Sequence, residues 1–334
     1  MANQTAPVSS LVERIVPIEA GVNVVGGVFL RNVAAFALAD GAILLQDEGG
    51  ARRVEAHPDG AILQATGDGQ RLLTGGDDGR VVATDAAGAM TELGKVSGWI
   101  DALAARADSA VAWSSGKNVF ARDPKGVVKT LAAPSSVRGL AFMPKGYRLA
   151  LAHYNGASLW FPNMAAAPEM LNWKGSHLDI TASPDGRFVV SSMQENTLHG
   201  WRLADGRDMR MSGYPAKTRS FSWSHDGHWL ATSGADACVA WPFATKDGPM
   251  GRAPKEIGVR PRRVSCVAFH PGSLVLALGY VDGFVMLARL DDGAEIPVRL
   301  EGKGGGISAL AWSTRGDRVL FGTEGGEAGV VTLP

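Results

Sequence analysis

The sequence predicts an all-β chain made from about eight copies of one unit. Three observations lead there. A period of about 40 residues runs through the 334 residues, which is the mark of a repeat architecture. Glycine, at 43 residues, is close to twice its usual share of about 7%. No segment carries a sustained helical period with caps. Many glycines suit many chain reversals between short strands.

The units follow one another in order. The first is VGGVFLRNVAAFALADGAILLQD (25–47), then ILQATGDGQRLLTGGDDGRVVATD (62–85) and LAARADSAVAWSSGKNVFARD (103–123). LAFMPKGYRLALAHYNGASLW (140–160), ITASPDGRFVVSSMQENTLHGW (180–201) and FSWSHDGHWLATSGADACVAW (221–241) are the clearest. VAFHPGSLVLALGYVDGFVML (267–287) and LAWSTRGDRVLFGTEGGEAGVVTL (310–333) complete the set. The residue before each third strand tracks the spacing: Gly41, Gly79, Gly116, Gly156, Asn196, Ala237, Gly283 and Gly329, at intervals of 37 to 46 residues. Short runs of small and apolar residues such as VVSSM, LATSG and LALGY fit strands packed on both faces.

The units resemble the WD40 repeat over residues 20–334. The resemblance is carried by Ser183-Pro184-Asp185-Gly186, Ser224-His225-Asp226-Gly227, Asp78-Gly79 and Asp282-Gly283, with Trp160, Trp201 and Trp241 at strand ends. It implies a WD40-type β-propeller of eight four-stranded blades around a central channel, with seven as the alternative count because the first unit is the weakest. No unit ends in Trp-Asp, and the usual Gly-His is missing, with His57 its nearest candidate. The buried Asp–His–Ser–Trp network of model repeats is therefore expected to be mostly absent. The last unit stops after its third strand, and LVERIVPI (11–18) precedes the first. The resemblance implies that this segment supplies the missing outer strand of the last blade, which removes a sheet edge. Residues 1–334 thus read as one domain: 1–10 a flexible N-terminus, 11–18 the closing strand, 20–334 the repeats.

Composition narrows the partners. Lys+Arg and Asp+Glu both total 33, so the basic surplus of a nucleic-acid-coating protein is absent. The N-terminal stretch does not read as a signal peptide, and no apolar run approaches the ~18 residues of a membrane span. Cys238 and Cys266, the two cysteines, sit in strand-like runs and read as buried free thiols of a cytoplasmic protein.

Catalytic and metal patterns are thin. There is no G-x-S-x-G elbow. His225 and His228 sit in a turn and on the next strand, so they need not converge. Gly302–Gly306 precedes a strand instead of opening a helix, which a phosphate cradle needs. Asp77-Asp78 and Asp291-Asp292 read as turn residues. No cofactor or metal is expected. The stretch 244–258, ATKDGPMGRAPKEIG, reads as an exposed, mobile loop.

Aligning the repeats brings out a different feature. The loops entering the first strands read KVSGWID, PSSVRG, NWKGSH, PAKTRS, RPRRVS and GKGGG, and each carries Lys, Arg or His. With the turns between second and third strands they gather Trp99, Arg138, His153, Tyr154, His177, Met193, Lys217, Arg219, Arg263 and Tyr280 on one rim. Arg, Trp, Tyr and Met are enriched at interface centres. The expectation is a non-enzymatic protein–protein interaction scaffold whose rim binds an acidic peptide or protein surface. The alternative is small-molecule binding or catalysis in the central channel, which the Ala, Ser, Leu and Thr of the first strands disfavour.

Overall fold

In a computed structural model, which describes residues 10–334, thirty short strands and one 3-10 turn make up the regular structure. The expectation of a flexible 1–10 therefore falls, apart from Ser10, outside the described residues. Each unit runs as an antiparallel meander, as in Val24–Leu30, Val33–Leu38, Ala42–Asp47 and Gly50–Glu55. Burial explains the composition. The second strands Val33–Leu38, Phe188–Met193 and Val275–Tyr280 are almost wholly buried, sandwiched between neighbouring sheets.

Seven hydrogen-bonded sheets result, six of four strands and one of six. Seven was the alternative count, and eight separate blades are not what the sheet order gives. The difference arises in one place, where the fourth and fifth sequence units share a sheet. Leu149–Trp160 reverses on itself at Asn155 (φ 66°), since His153 Nε2 stands 2.7 Å from Ser158 Oγ, closer than a straight strand permits. The long strand Glu169–Ala182 then pairs backward through its first part and forward with Phe188–Met193 through its second. Eight sequence units are thus connected as seven sheets, because this one strand joins the ladder of the fourth unit to that of the fifth.

First strands of neighbouring sheets are stitched by side chains. Ser220 Oγ accepts from Val267 N–H (3.0 Å), Ser265 Oγ donates to Ile307 O (2.7 Å), and Ser308 Oγ donates to Val24 O (2.6 Å), which joins the last sheet to the first. The N-terminal strand Ile15–Glu19 pairs antiparallel with Glu327–Thr332 from Ile15↔Val331 to Glu19↔Glu327, completing the last sheet as expected. Its start lies four residues later than Leu11, because Val12–Arg14 forms a 3-10 turn.

The 244–258 segment is held down. Arg187 donates to Thr245 O (2.9 Å) and Phe243 O (3.2 Å), Arg202 pairs with Asp247, and Gly248 and Pro249 are buried. That corrects the reading of a mobile loop. Cys238 is buried and Cys266 only partly so, and neither is in a disulfide. Burial pushes both thiols up to about 12.

Candidate interaction rim

A recurring irregularity shapes the rim. In five first strands the ladder shifts register at the same place: Val24/Gly26, Ile62/Gln64, His177/Asp179, Val264/Cys266 and Ile307/Ala309. Each shift inserts an extra residue, and such bulges re-aim side chains. The turns opposite are equally constrained. Gly79 has φ 76°, and a Cβ there would lie 2.1 Å from Val96 O, so only glycine fits.

Buried polar chains brace these turns. His57 Nδ1 meets Asp78 at 3.0 Å while Nε2 meets Thr74 Oγ1 at 2.9 Å. His177 Nδ1 meets Ser191 Oγ at 2.7 Å. In the sixth unit Tyr214 stands where a histidine would. Trp241 Nε1–H, a donor only, gives to Tyr214 OH (2.6 Å), which gives to Thr232 Oγ1 (2.7 Å), which gives to Val239 O (2.9 Å). Among the described residues no unit joins all four members, as expected, but three units build partial chains with altered members. Tyr214→Phe should strand the Trp241 donor and lower stability by about 1–3 kcal/mol. Chemical denaturation with an unchanged midpoint would show the chain carries no load.

The ten residues expected on the rim separate into three groups. Lys217, Arg219 and Arg263 come together, lining one recess of about 390 Å³ with Ser265, Val281 and Glu324. None of the three cations has an ion-pair partner within 4.0 Å among the described residues. Trp99 (65% exposed), Tyr154 (55%) and Arg138 are at the surface but outside this recess. Arg138 is bound to Asp101 at 3.0 Å. His153, His177, Met193 and Tyr280 are buried, which corrects their placement on an exposed surface. The register gives the reason. His177 pairs with Met193 and Val264 with Tyr280 at one equivalent ladder position, which faces the interior in every unit that shows the shift. Tyr280 OH donates to Gly258 O, and His153 donates or accepts at Ser158 Oγ, 2.7 Å away. Val281, Ser265 and Glu324 were missed. Val281 follows Tyr280 directly, and strand alternation could have placed it outside.

Two ionisable groups beneath the rim are strongly perturbed. His199 is buried, stacked on Trp173 with ring centroids 3.9 Å apart, and neither ring nitrogen has a hydrogen bond. Burial lowers it to about 4, opposed by Asp208 at 3.4 Å. Burial raises Asp179 to about 6, against the hydrogen bond it accepts from Ile180 N–H (2.8 Å). Among the described residues no group of three His, Cys, Asp or Glu side chains could hold a metal ion. His228 lies 3.1 Å from Asp226 and both are solvated. Among the described residues no helix is long and apolar enough to cross a membrane.

Meander sheets closed into a ring, the Ser183-Pro184-Asp185-Gly186 turn and the imidazole–hydroxyl contacts define the class, a β-propeller built from WD40-like repeats. The family model described as WD domain, G-beta repeat matches residues 210–240. Telomerase Cajal body protein 1 of Homo sapiens is 30% identical over 162 residues, covering 42% of this chain and 27% of that protein. The chain thus matches little more than a quarter of its relative's length. The crystal structure of the computationally designed Ika8 protein superposes with a TM-score of 0.71 at 18% identity, covering 94% of this chain and 98% of that one, and shares the fold. Propellers of this family are generally interaction scaffolds without enzymatic activity.

Proposed function

We propose that the protein is a non-enzymatic scaffold whose rim recess holds an acidic peptide or an acidic protein surface. One observation carries this reading: Lys217, Arg219 and Arg263 converge on one recess without ion-pair partners, with Glu324 the lone acid among its lining residues. Exposed Trp99 and Tyr154, with Arg138, lie outside this recess and would belong to a second part of the same rim. His153, His177, Met193 and Tyr280 support the loops from below instead of touching a partner. Residues 1–334 act as one propeller domain, and the two unpaired thiols agree with a cytoplasmic setting. Zero net charge argues against nucleic acid.

The test is affinity capture from the native host with wild-type bait and with Lys217→Glu/Arg219→Glu/Arg263→Glu bait. These side chains lie outside the sheet cores, so the variant should keep its melting temperature. It should lose the captured partner, because like charges across an interface cost several kcal/mol. Capture should also weaken as salt rises to physiological strength, where the Debye length is about 8 Å. Capture indifferent to both changes would place the working surface elsewhere.

A further inference from the structure

The outermost strand of the six-stranded sheet, Asp208–Met211, pairs on one side only. Arg202 N–H donates to Arg207 O at 2.8 Å, so this residue pair is hydrogen-bonded. Antiparallel pairs alternate, which makes Gly200/Met209 and Leu198/Met211 hydrogen-bonded as well. The backbone groups of Asp208 and Arg210 therefore face outward, unpaired by any described strand. Next to this edge the anchored 244–258 segment raises a second wall, leaving a groove of about 450 Å³. Met209, Trp241 and Met250 give it an apolar side, and Arg207, Arg210 and Arg252 line it with positive charge. None of the three arginines has an ion-pair partner within 4.0 Å among the described residues. Asp208 is the one acid of the groove, and its carboxylate lies 3.4 Å from His199.

We propose that this groove takes an extended acidic peptide segment as an added strand. A free edge with outward N–H and C=O groups is a template for pairing, and main-chain bonds give such complexes their affinity. Met209 and Met211 occupy one face of the edge strand, Asp208 and Arg210 the other. The segment that fits alternates apolar residues, packed toward Met209 and Met250, with acidic residues on the Arg210 face, while Arg207 and Arg252 add positive charge along the groove. The groove lies on the outer circumference, so this site stands or falls independently of the rim.

The probe is a short fluorescent peptide of alternating Glu and Val, with a Lys/Val peptide as control, followed by anisotropy on the full chain at low salt. The Glu/Val peptide should bind and the Lys/Val peptide should not. Arg207→Glu/Arg210→Glu/Arg252→Glu should abolish binding, and reversal of Lys217, Arg219 and Arg263 should leave it intact. Two variants at one position isolate the strand pairing. Asp208→Asn removes the opposing charge and should tighten binding. Asp208→Pro removes the same charge together with an outward N–H, and should weaken binding about tenfold relative to Asp208→Asn. Should the proline variant melt early, peptides N-methylated at alternate positions test the same bond on the unaltered protein. One set should lose binding and the other keep it. Equal binding by both sets, or by Pro and Asn, would overturn strand addition, and survival of the arginine reversal would overturn the site.

Discussion

Deleting residues 1–19 is expected to make the protein aggregate, or to collapse its melting temperature. The segment contributes Ile15–Glu19 to the last sheet and buries Leu11 and Ile18, each 5% exposed. Leu11 N–H also donates to Pro297 O at 2.9 Å in the preceding sheet. Losing two buried aliphatic side chains costs about 2–5 kcal/mol each, before any loss of ladder hydrogen bonds. That sum approaches the whole stability of an ordinary domain, about 5–15 kcal/mol. The strand Glu327–Thr332 would also become a free edge, a template for intermolecular pairing. Size-exclusion chromatography and thermal melting decide it. A truncated chain that stays monomeric and melts with the intact protein would show that closure is not what holds the ring.

Acid is expected to destabilise the protein through His199, and an opposing group partly hides the effect. The histidine titrates near 4 in the folded protein and near 6.5 in the unfolded chain. Between those values the unfolded chain binds the extra proton, so stability falls as pH drops from about 6.5 toward 4. The loss is on the order of 2 kcal/mol after allowance for solvent screening. Burial lowers His57, His153 and His177 as well, adding to the same limb. Asp179 works the other way. Its folded value near 6 exceeds the unfolded 3.8, so it penalises the fold above about pH 6 and releases that penalty as pH falls. His199→Phe should keep the stacking on Trp173, remove two unbonded nitrogens, and flatten the acid limb. Asp179→Asn should raise stability at pH 7.5 by about 2 kcal/mol, gain nothing near pH 3.5, and steepen the acid limb. Denaturant midpoints from pH 3.5 to 7.5 check both. An acid limb unchanged by His199→Phe would remove the histidine from the account.

The repeat was legible because each unit spends the same residue types on the same register. VVSSM and LALGY fall on buried second strands, and LATSG begins on the second strand Trp229–Thr232. Less legible was the shared sheet of the fourth and fifth units. It depends on how far the ladder of Glu169–Ala182 continues past its first partner, which local composition does not encode. Residue type at the rim was easier to read than orientation. His153 and Tyr154 are neighbours, yet one is 1% exposed and the other 55%. His177 could have been placed correctly, since its equivalents Val24, Ile62, Val264 and Ile307 are all apolar. Charge pairing was out of reach. Arg138 is neutralised by Asp101 and Arg260 by Asp282 and Glu301, partners brought close only by packing of neighbouring loops.

In the proposed complex Lys217, Arg219 and Arg263 meet acidic groups of a partner across the rim recess. A charge swap tests it most directly. Once a captured partner's acidic segment is mapped, its Asp and Glu residues are replaced by Lys and its affinity is measured against wild-type and charge-reversed propeller. Each single reversal is expected to abolish binding, and the two reversed partners together to recover it. Reversed partners that stay apart while wild-type binding ignores salt would contradict it.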